Sequence, residues 1–427
     1  MTKVTGMSIA RKILLVAAMF SLPMSVMLYL MVERTQSYID FAAQEKRGDA
    51  YLRPLVSLME SVQQHHLWQQ KCGSGCPERW TEAAGRVEKA FVAWEKVDRE
   101  HGKALQFTDE GLAKRNRGHL RIANLRARWK AIVDGAKDAD YGALIGDIKG
   151  VITHAGDTSN LILDPDLDSY YLMDVVLLAL PQTQERVAKI VEFGFGALKP
   201  GQAGTKQQRD MAIHAAMLRE ADLDRASAST MTSIQEDPNF YGVSPTLAAR
   251  LKPELDQYKK GTERFLTVMG QVADHGAGVT ADEFFQSGSE AWASSYAFWR
   301  ASVDELDVLL DRRIADFQHS LWTGLWLFGL ALAIASALAY MVARSITVPL
   351  HGLVNSLGPG ATLLSVCVER IAETSRSETP DPEQTVIICG ELNAHAEDMR
   401  RAVLALAAQV EGADAERTVR QAAGYVD

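Results

Sequence analysis

LWTGLWLFGLALAIASALAYMV, residues 321–342, is a run of 22 residues without a charge. At about 1.5 Å of rise per residue its helix spans roughly the 30 Å hydrocarbon core of a bilayer, so it predicts a transmembrane helix. Trp322, Trp326 and Tyr340 lie toward its ends, where amphipathic rings favour the headgroup layer. Residues 13–32 form a second uncharged run of 20 residues. A cleaved signal peptide is the other reading of that run. It is too long for one, and no small-x-small cleavage site follows Tyr29.

Lys3, Arg11 and Lys12 precede the first run, which predicts a cytoplasmic segment 1–12 and a large domain, 33–320, on the far side of the membrane. The chain would return through 321–342 and end inside with 343–410 and a tail, 411–427. Ala17, Ser21 and Ser25 recur at four-residue steps in the first run, as do Ala331, Ala335 and Ala339 in the second. Such spacing lets membrane helices approach closely, within one subunit or across a dimer; it is also what two abundant residue types give by themselves.

The 427 residues are 47% hydrophobic and 23% charged, which excludes a disordered chain. A net charge of −9 argues against nucleic-acid binding. No sustained period-two alternation occurs, so strands are not expected. Instead Trp292, Tyr296, Trp299, Val303, Leu306, Leu310, Ile314, Phe317 and Leu321 form a seam at steps of three and four that runs into the second span. Tyr51, Leu55, Leu58 and Val62 repeat the spacing after the first. Further helices are expected at roughly 78–104, 108–135, 140–160, 166–197, 203–235 and 245–274, separated by breaks at 72–76, 199–204, 237–242 and 275–278. The fold class is therefore all-α: two membrane helices flank a long-helix bundle, with two stacked four-helix modules fitting the helix number.

Several clusters are candidate sites. Cys72 and Cys76 flank Gly-Ser-Gly, and outside the cytoplasm a disulfide is the default. Closing so short a loop stabilises by roughly 2 kcal/mol on the chain-entropy model. With His65 and His66 the same thiols could instead form a soft-metal site. Arg117, Arg121, Asn124 and Arg128 make one polar stripe on the expected helix, opposite Ile122, Leu125, Trp129 and Ile132. Arginine forks suit a small anionic ligand, although such a row commonly faces solvent or neighbouring acids. The run Leu163-Asp-Pro-Asp-Leu-Asp-Ser-Tyr-Tyr-Leu-Met-Asp174 places Asp164 to cap a helix whose first turn holds Pro165 and Asp166. Asp168, Tyr171 and Asp174 then fall together, either beside a buried aromatic or as a ligand pocket facing the arginines. Cys367, Cys389 and His395 fit no common zinc spacing. No nucleotide, zinc-protease or nucleophile-elbow signature occurs, so neither enzymatic activity nor a cofactor is expected.

The layout of basic N-terminus, span, helical outer domain, span and helical tail resembles bacterial transmembrane receptors: methyl-accepting chemotaxis proteins and sensor histidine kinases. Leu163–Asp174, with Tyr51-Leu-Arg-Pro-Leu55 and Leu105-Gln-Phe-Thr108, looks like the helical sensing region of such proteins. Arg344-Ser-Ile-Thr-Val-Pro-Leu350 resembles the entry to a HAMP linker, with Pro349 opening its first helix, and Cys389-Gly-Glu-Leu392 resembles the start of its second. An extra helix, 361–373, and a loop, 374–385, depart from that family, as do Ile387 and Ile388 at positions usually acidic.

The resemblance implies signal transduction of the chemotaxis type. The input would be a small molecule, such as an organic acid, or a periplasmic binding protein. Trp299, Val303, Leu306, Leu310, Phe317 and Pro349 would carry the relay. A homodimer is expected. About 17 residues follow Val410, too few for an output module, so a heteromer with a full-length receptor or kinase would supply one. The alternatives are a membrane-anchored scaffold that transmits nothing, or a sensor kinase cut short.

Overall fold

A heptad seam that must bury itself needs antiparallel neighbours of similar length, and the chain supplies them. The computed structural model describes residues 9–72, 75, 77–136, 140–199, 204–274, 278–376 and 382–411. Every long element among them is helical: α1 (Ile9–Cys72), α2 (Pro77–His101), α3 (Asp109–Lys114), α4 (Ile122–Val133), α5 (Tyr141–Thr158), α6 (Leu167–Met173), α7 (Leu180–Ala197), α8 (Thr205–Met217), α9 (Arg225–Glu236), α10 (Leu247–Ala273), α11 (Ala281–Arg376) and α12 (Pro382–Glu411). No strand occurs among the described residues. All four expected breaks interrupt helices. The chain divides into a larger unit, Glu33–Leu321, and a second unit of Met1–Val32 with Trp322–Asp427; α1 and α11 contribute residues to each.

In the larger unit α1 and α11 run antiparallel. Arg313 reaches Glu45, Asp304 reaches Arg53, and Trp292 reaches Gln63. On one side α2 descends along α1, with Arg86 on Gln64 and Asp98 on Tyr51. Next to it α4 rises, placing Trp129 against His65, and α5 descends from Tyr141 at His65 to Ser159 at Gly48. On the other side α6 and α7 rise, α8 and α9 descend, α10 rises and α11 closes the set. Gly194 meets Phe284, Arg225 meets Asp174, and Tyr258 stacks on Phe298. Two up-down-up-down bundles result, but they lie side by side rather than stacked. Their inner helices α5 and α7 cross-link through Lys149 and Glu185, and one continuous core joins them. Four-residue steps along α1 and α11 bury residues against both bundles, which an end-to-end stack would not use.

Tyr51, Leu55, Leu58 and Val62 are buried, and so is the seam from Trp292 to Leu310. That seam packs inside one copy of the chain, so Val303 does not face a dimer partner. The expected helix 108–135 is instead three pieces. Thr108 caps α3, Asn116 adopts a left-handed conformation (φ 55°), a short 3-10 turn covers Gly118–Leu120, and Arg121 is extended. Leu125, Trp129 and Ile132 are nevertheless buried as their spacing implies. Both helices of the α6–α9 hairpin contain a π turn, at Asp174–Ala179 and Leu218–Asp224. Pro181 follows the first; lacking an N–H and crowding the carbonyl four residues back, it favours such a widened turn.

Within the second unit, residues from 15 onward in the first apolar run are helical and largely exposed, including Met19, Phe20 and Leu22. Ser21 and Ser25 share one apolar groove with Ala335 and Ala339, and Gly324 sits where a Cβ would meet Met31 at 2.9 Å. Among the described residues one helical stretch, Ala281–Ile346, is long and apolar enough to cross a membrane. α11 continues through Pro349 to Arg376, so Pro349 does not open a helix and 361–373 is not a separate one. A proline removes one backbone hydrogen bond, while the turns on either side keep theirs. Side-chain surroundings of Pro349 and Cys367, and residues 1–8 and 412–427, lie outside the described set.

Candidate functional site

The residues expected to bind a ligand do not converge. With the helix broken at Asn116, Arg117 and Arg121 precede α4 and only Asn124 and Arg128 lie on it. Arg117 pairs with Asp157 at 2.7 Å, Arg121 with Asp109 at 2.9 Å and Arg128 with Asp147 at 3.0 Å, while Asn124 donates to the carbonyls of Gly118 and His119. The row thus faces acids and backbone of neighbouring segments. Asp174, at the start of the first π turn, takes Arg225 at 2.5 Å and Ser229 at 2.9 Å. Tyr171 packs edge-on against Tyr170. Asp168 is buried and accepts the Ser169 N–H at 2.7 Å. Asp164 is not the cap of α6, which starts after Asp166. It turns inward instead, because a buried guanidinium waits there.

That guanidinium is Arg313. Its Nη1 lies 2.7 Å from Glu45, its Nη2 2.6 Å from Asp164 and its Nε 2.6 Å from Asp166, and Ser169 also contacts Nη2. Tyr241, held at a left-handed φ of 52°, donates its hydroxyl to Asp166 at 2.9 Å. Burial works to lower the Arg313 pKa, but Asp164, Glu45 and Asp166 outweigh it and keep the cation charged. Burial pushes the Asp168 carboxyl up to about 6. This cluster ties α1, α11, the segment before α6 and the α9–α10 connection at one end of the larger unit.

Toward the other end, where α1 and α5 of one bundle face α7 of the other, lies a cleft of about 350 Å³. His66 and Tyr141 stack at 4.2 Å on one wall, the Tyr141 hydroxyl lying 2.7 Å from His65. Leu67 and Ile145 add apolar surface. On α7, Lys189 pairs with Glu185 at 2.7 Å, and Glu192 accepts from Gln70 at 3.3 Å. Burial would raise the Glu185 pKa, but Lys149 and Lys189 on its two oxygens bring it down. Burial lowers His66, against the carboxylates of Glu192 and Asp140, so the imidazole is neutral at pH 7.

Gln63 lines this cleft and is 1% exposed. Its Oε1 accepts two hydrogen bonds from α11, Trp292 Nε1 and Tyr296 hydroxyl, each at 2.9 Å. Its Nε2 donates to no protein group. A buried amide with one half satisfied and the other not is costly without a partner. The walls therefore offer an aromatic stack and charges of both signs, with the unfilled donor of Gln63 buried behind them. Sequence reasoning missed Gln63, since a glutamine on a helix carries no pattern of its own.

No metal-ligand grouping of His, Cys, Asp and Glu occurs among the described residues, His65 and His66 being engaged with Tyr141. Cys72 is disulfide-bonded, Cys76 lies outside the described residues, and Cys389 is a free, exposed thiol. No protein-family model, curated protein or solved structure matches this chain.

Proposed function

We propose that the chain is a receptor-like signal-transduction protein of a bacterial inner membrane. Two spans, 13–32 and 321–342, would hold the larger unit in the periplasm as a homodimer, and its conformational change would pass to a cytoplasmic partner, such as a full-length chemoreceptor or kinase. The observation that carries this reading is Gln63, a residue that lines the cleft and whose amide oxygen holds Trp292 and Tyr296 of α11. A molecule that engages the cleft acts on the same side chain that fixes the start of the α11 seam.

Sliding of packed helices is a low-cost motion that a ligand biases through differential affinity. The charges along the seam suit it: Lys46 contacts both Asp307 and Asp311, one turn apart on α11, so a partial shift keeps one pairing. Charges of both signs around the cleft favour a small dipolar molecule over a simple organic anion.

The test is a thermal-shift screen of the full chain in nanodiscs against amino acids, betaines and organic acids, repeated with Tyr141→Ala. Binding raises stability by mass action. A hit lost in the variant supports the cleft as the input site. A chain that responds to no compound supports the scaffold reading instead.

A further inference from the structure

Along the α1–α11 seam two acids of α1 are shut away from water among more acid than the nearby bases balance. Glu45 and Asp49, one turn apart on α1, are 0% and 1% exposed. Facing Glu45 are Arg313 of α11 and, from the segment before α6, Asp164 and Asp166; Asp168 and Tyr241 stand behind them. One guanidinium thus serves three carboxylates. Facing Asp49 are Arg53, at 3.4 Å, Lys46 on its own helix and Asp307 on α11, and Arg53 is itself drawn to Asp304 at 2.6 Å.

Glu45 Oε1, Asp49 Oδ1 and Asp164 Oδ2 are each buried with no hydrogen-bond partner. Carboxylate oxygens left bare in an acid-rich interior call for a balancing positive charge. No grouping suited to a metal ion is present among the described residues, which leaves the proton. We propose that Glu45 and Asp49 are proton-binding sites, and that their protonation makes the hold of α1 on α11 depend on the pH of the compartment this unit faces. The inference stands apart from the ligand cleft, which lies at the other end of the unit.

Burial, with Asp164 next and Arg313 opposing, pushes the Glu45 carboxyl up to about 9. Burial likewise pushes Asp49 up to about 8, against Arg53. Both acids therefore keep their protons at neutral pH in the closed seam and lose them when it opens to water. The stability they contribute is whole below about 4, the pKa of such acids in water, and declines as pH rises until it is lost above the closed-state values. Between pH 7 and 9 each acid makes opening at least about tenfold more frequent.

The experiment uses the full chain in nanodiscs, wild type beside Glu45→Gln and Asp49→Asn. Infrared absorption counts protonated carboxyls at pH 7, and hydrogen exchange, corrected for intrinsic rates, follows residues 44–58 and 302–316 at pH 7 and 9. The expected result is a protonated-carboxyl band that titrates away in wild type and weakens in each variant. Exchange should rise at least about tenfold with pH in wild type and clearly less in the doubly substituted chain. A wild type without the band at pH 7, or variants that keep the full wild-type pH response, overturns the proposal. Should a variant not fold, the wild-type infrared titration decides alone.

Discussion

Replacing Arg313 by Met removes the one cation among Glu45, Asp164 and Asp166 while keeping much of the side-chain volume. Breaking a buried ion pair from one side costs about 3–5 kcal/mol, because the remaining charges stay desolvated. In a unit of this size about 1 kcal/mol moves the melting temperature by roughly 2–4 °C, so at pH 8 the variant should melt roughly 6–20 °C lower. The sign of its pH dependence follows from the same contacts. Arg313 opposes the rise in the Asp164 pKa, so without it that carboxyl binds its proton more tightly in the folded state, while Glu45, which holds its proton across this range either way, adds no difference. Stability then falls more steeply with rising pH than in wild type, and the deficit narrows at pH 5, where protonation removes the unpaired charge. What persists there is the loss of hydrogen bonds, about 1–2 kcal/mol. Urea titrations of the full chain in detergent, followed by tryptophan fluorescence at pH 5, 6.5 and 8, measure all three points. A deficit below about 1 kcal/mol at pH 8, or one equal at every pH, would refute the placement of these charges in a dry interior.

Gln63→Leu leaves the Trp292 indole and the Tyr296 hydroxyl without their acceptor, and two orphaned donors should cost about 2–4 kcal/mol in a urea titration; Gln63→Glu, which keeps an acceptor in place, should cost less at pH 5 than at pH 8. Two helical glycines should respond oppositely to alanine. At Gly194 a Cβ would come within 2.1 Å of the Phe284 ring edge, and Gly194→Ala should destabilise by about 1–3 kcal/mol. Gly146 of α5 has open space, and Gly146→Ala should stabilise by about 0.5–1 kcal/mol, read as paired shifts in melting temperature.

Much of the helical framework was legible because its signals are local. The seam from Trp292 to Leu310, the four breaks and the inward face of α4 all follow from apolar spacing and from glycine and proline within a few residues. The break at Asn116 carried a weaker mark, an asparagine two residues before Gly118, which a long periodic stretch outweighs. The side-by-side bundles and the charge cluster were hidden for another reason. Glu45 and Arg313 are 268 positions apart, and on a helix wheel each reads as an ordinary surface charge. Leu163–Asp174 stood out as unusual, yet nothing near it in sequence names the arginine that Asp164 meets. The cleft was equally hidden, since Gln63, Tyr141 and Lys189 come from three helices.

The paired π turns have a consequence for how this sequence tolerates change. Each accommodates one residue more than an α-helical turn, and each residue turns a helix by about 100°. Asp174 opens the first and bonds Arg225 immediately after the second, and Asp222 within the second pairs with Arg186 beyond the first, so the two surplus residues lie in successive layers of adjoining rods. Deleting one of them alone would leave half of that hairpin facing the wrong way, with its buried flank turned to solvent. Deleting both together would keep the rods in phase, so length variants of this protein should gain or lose these residues as a couple.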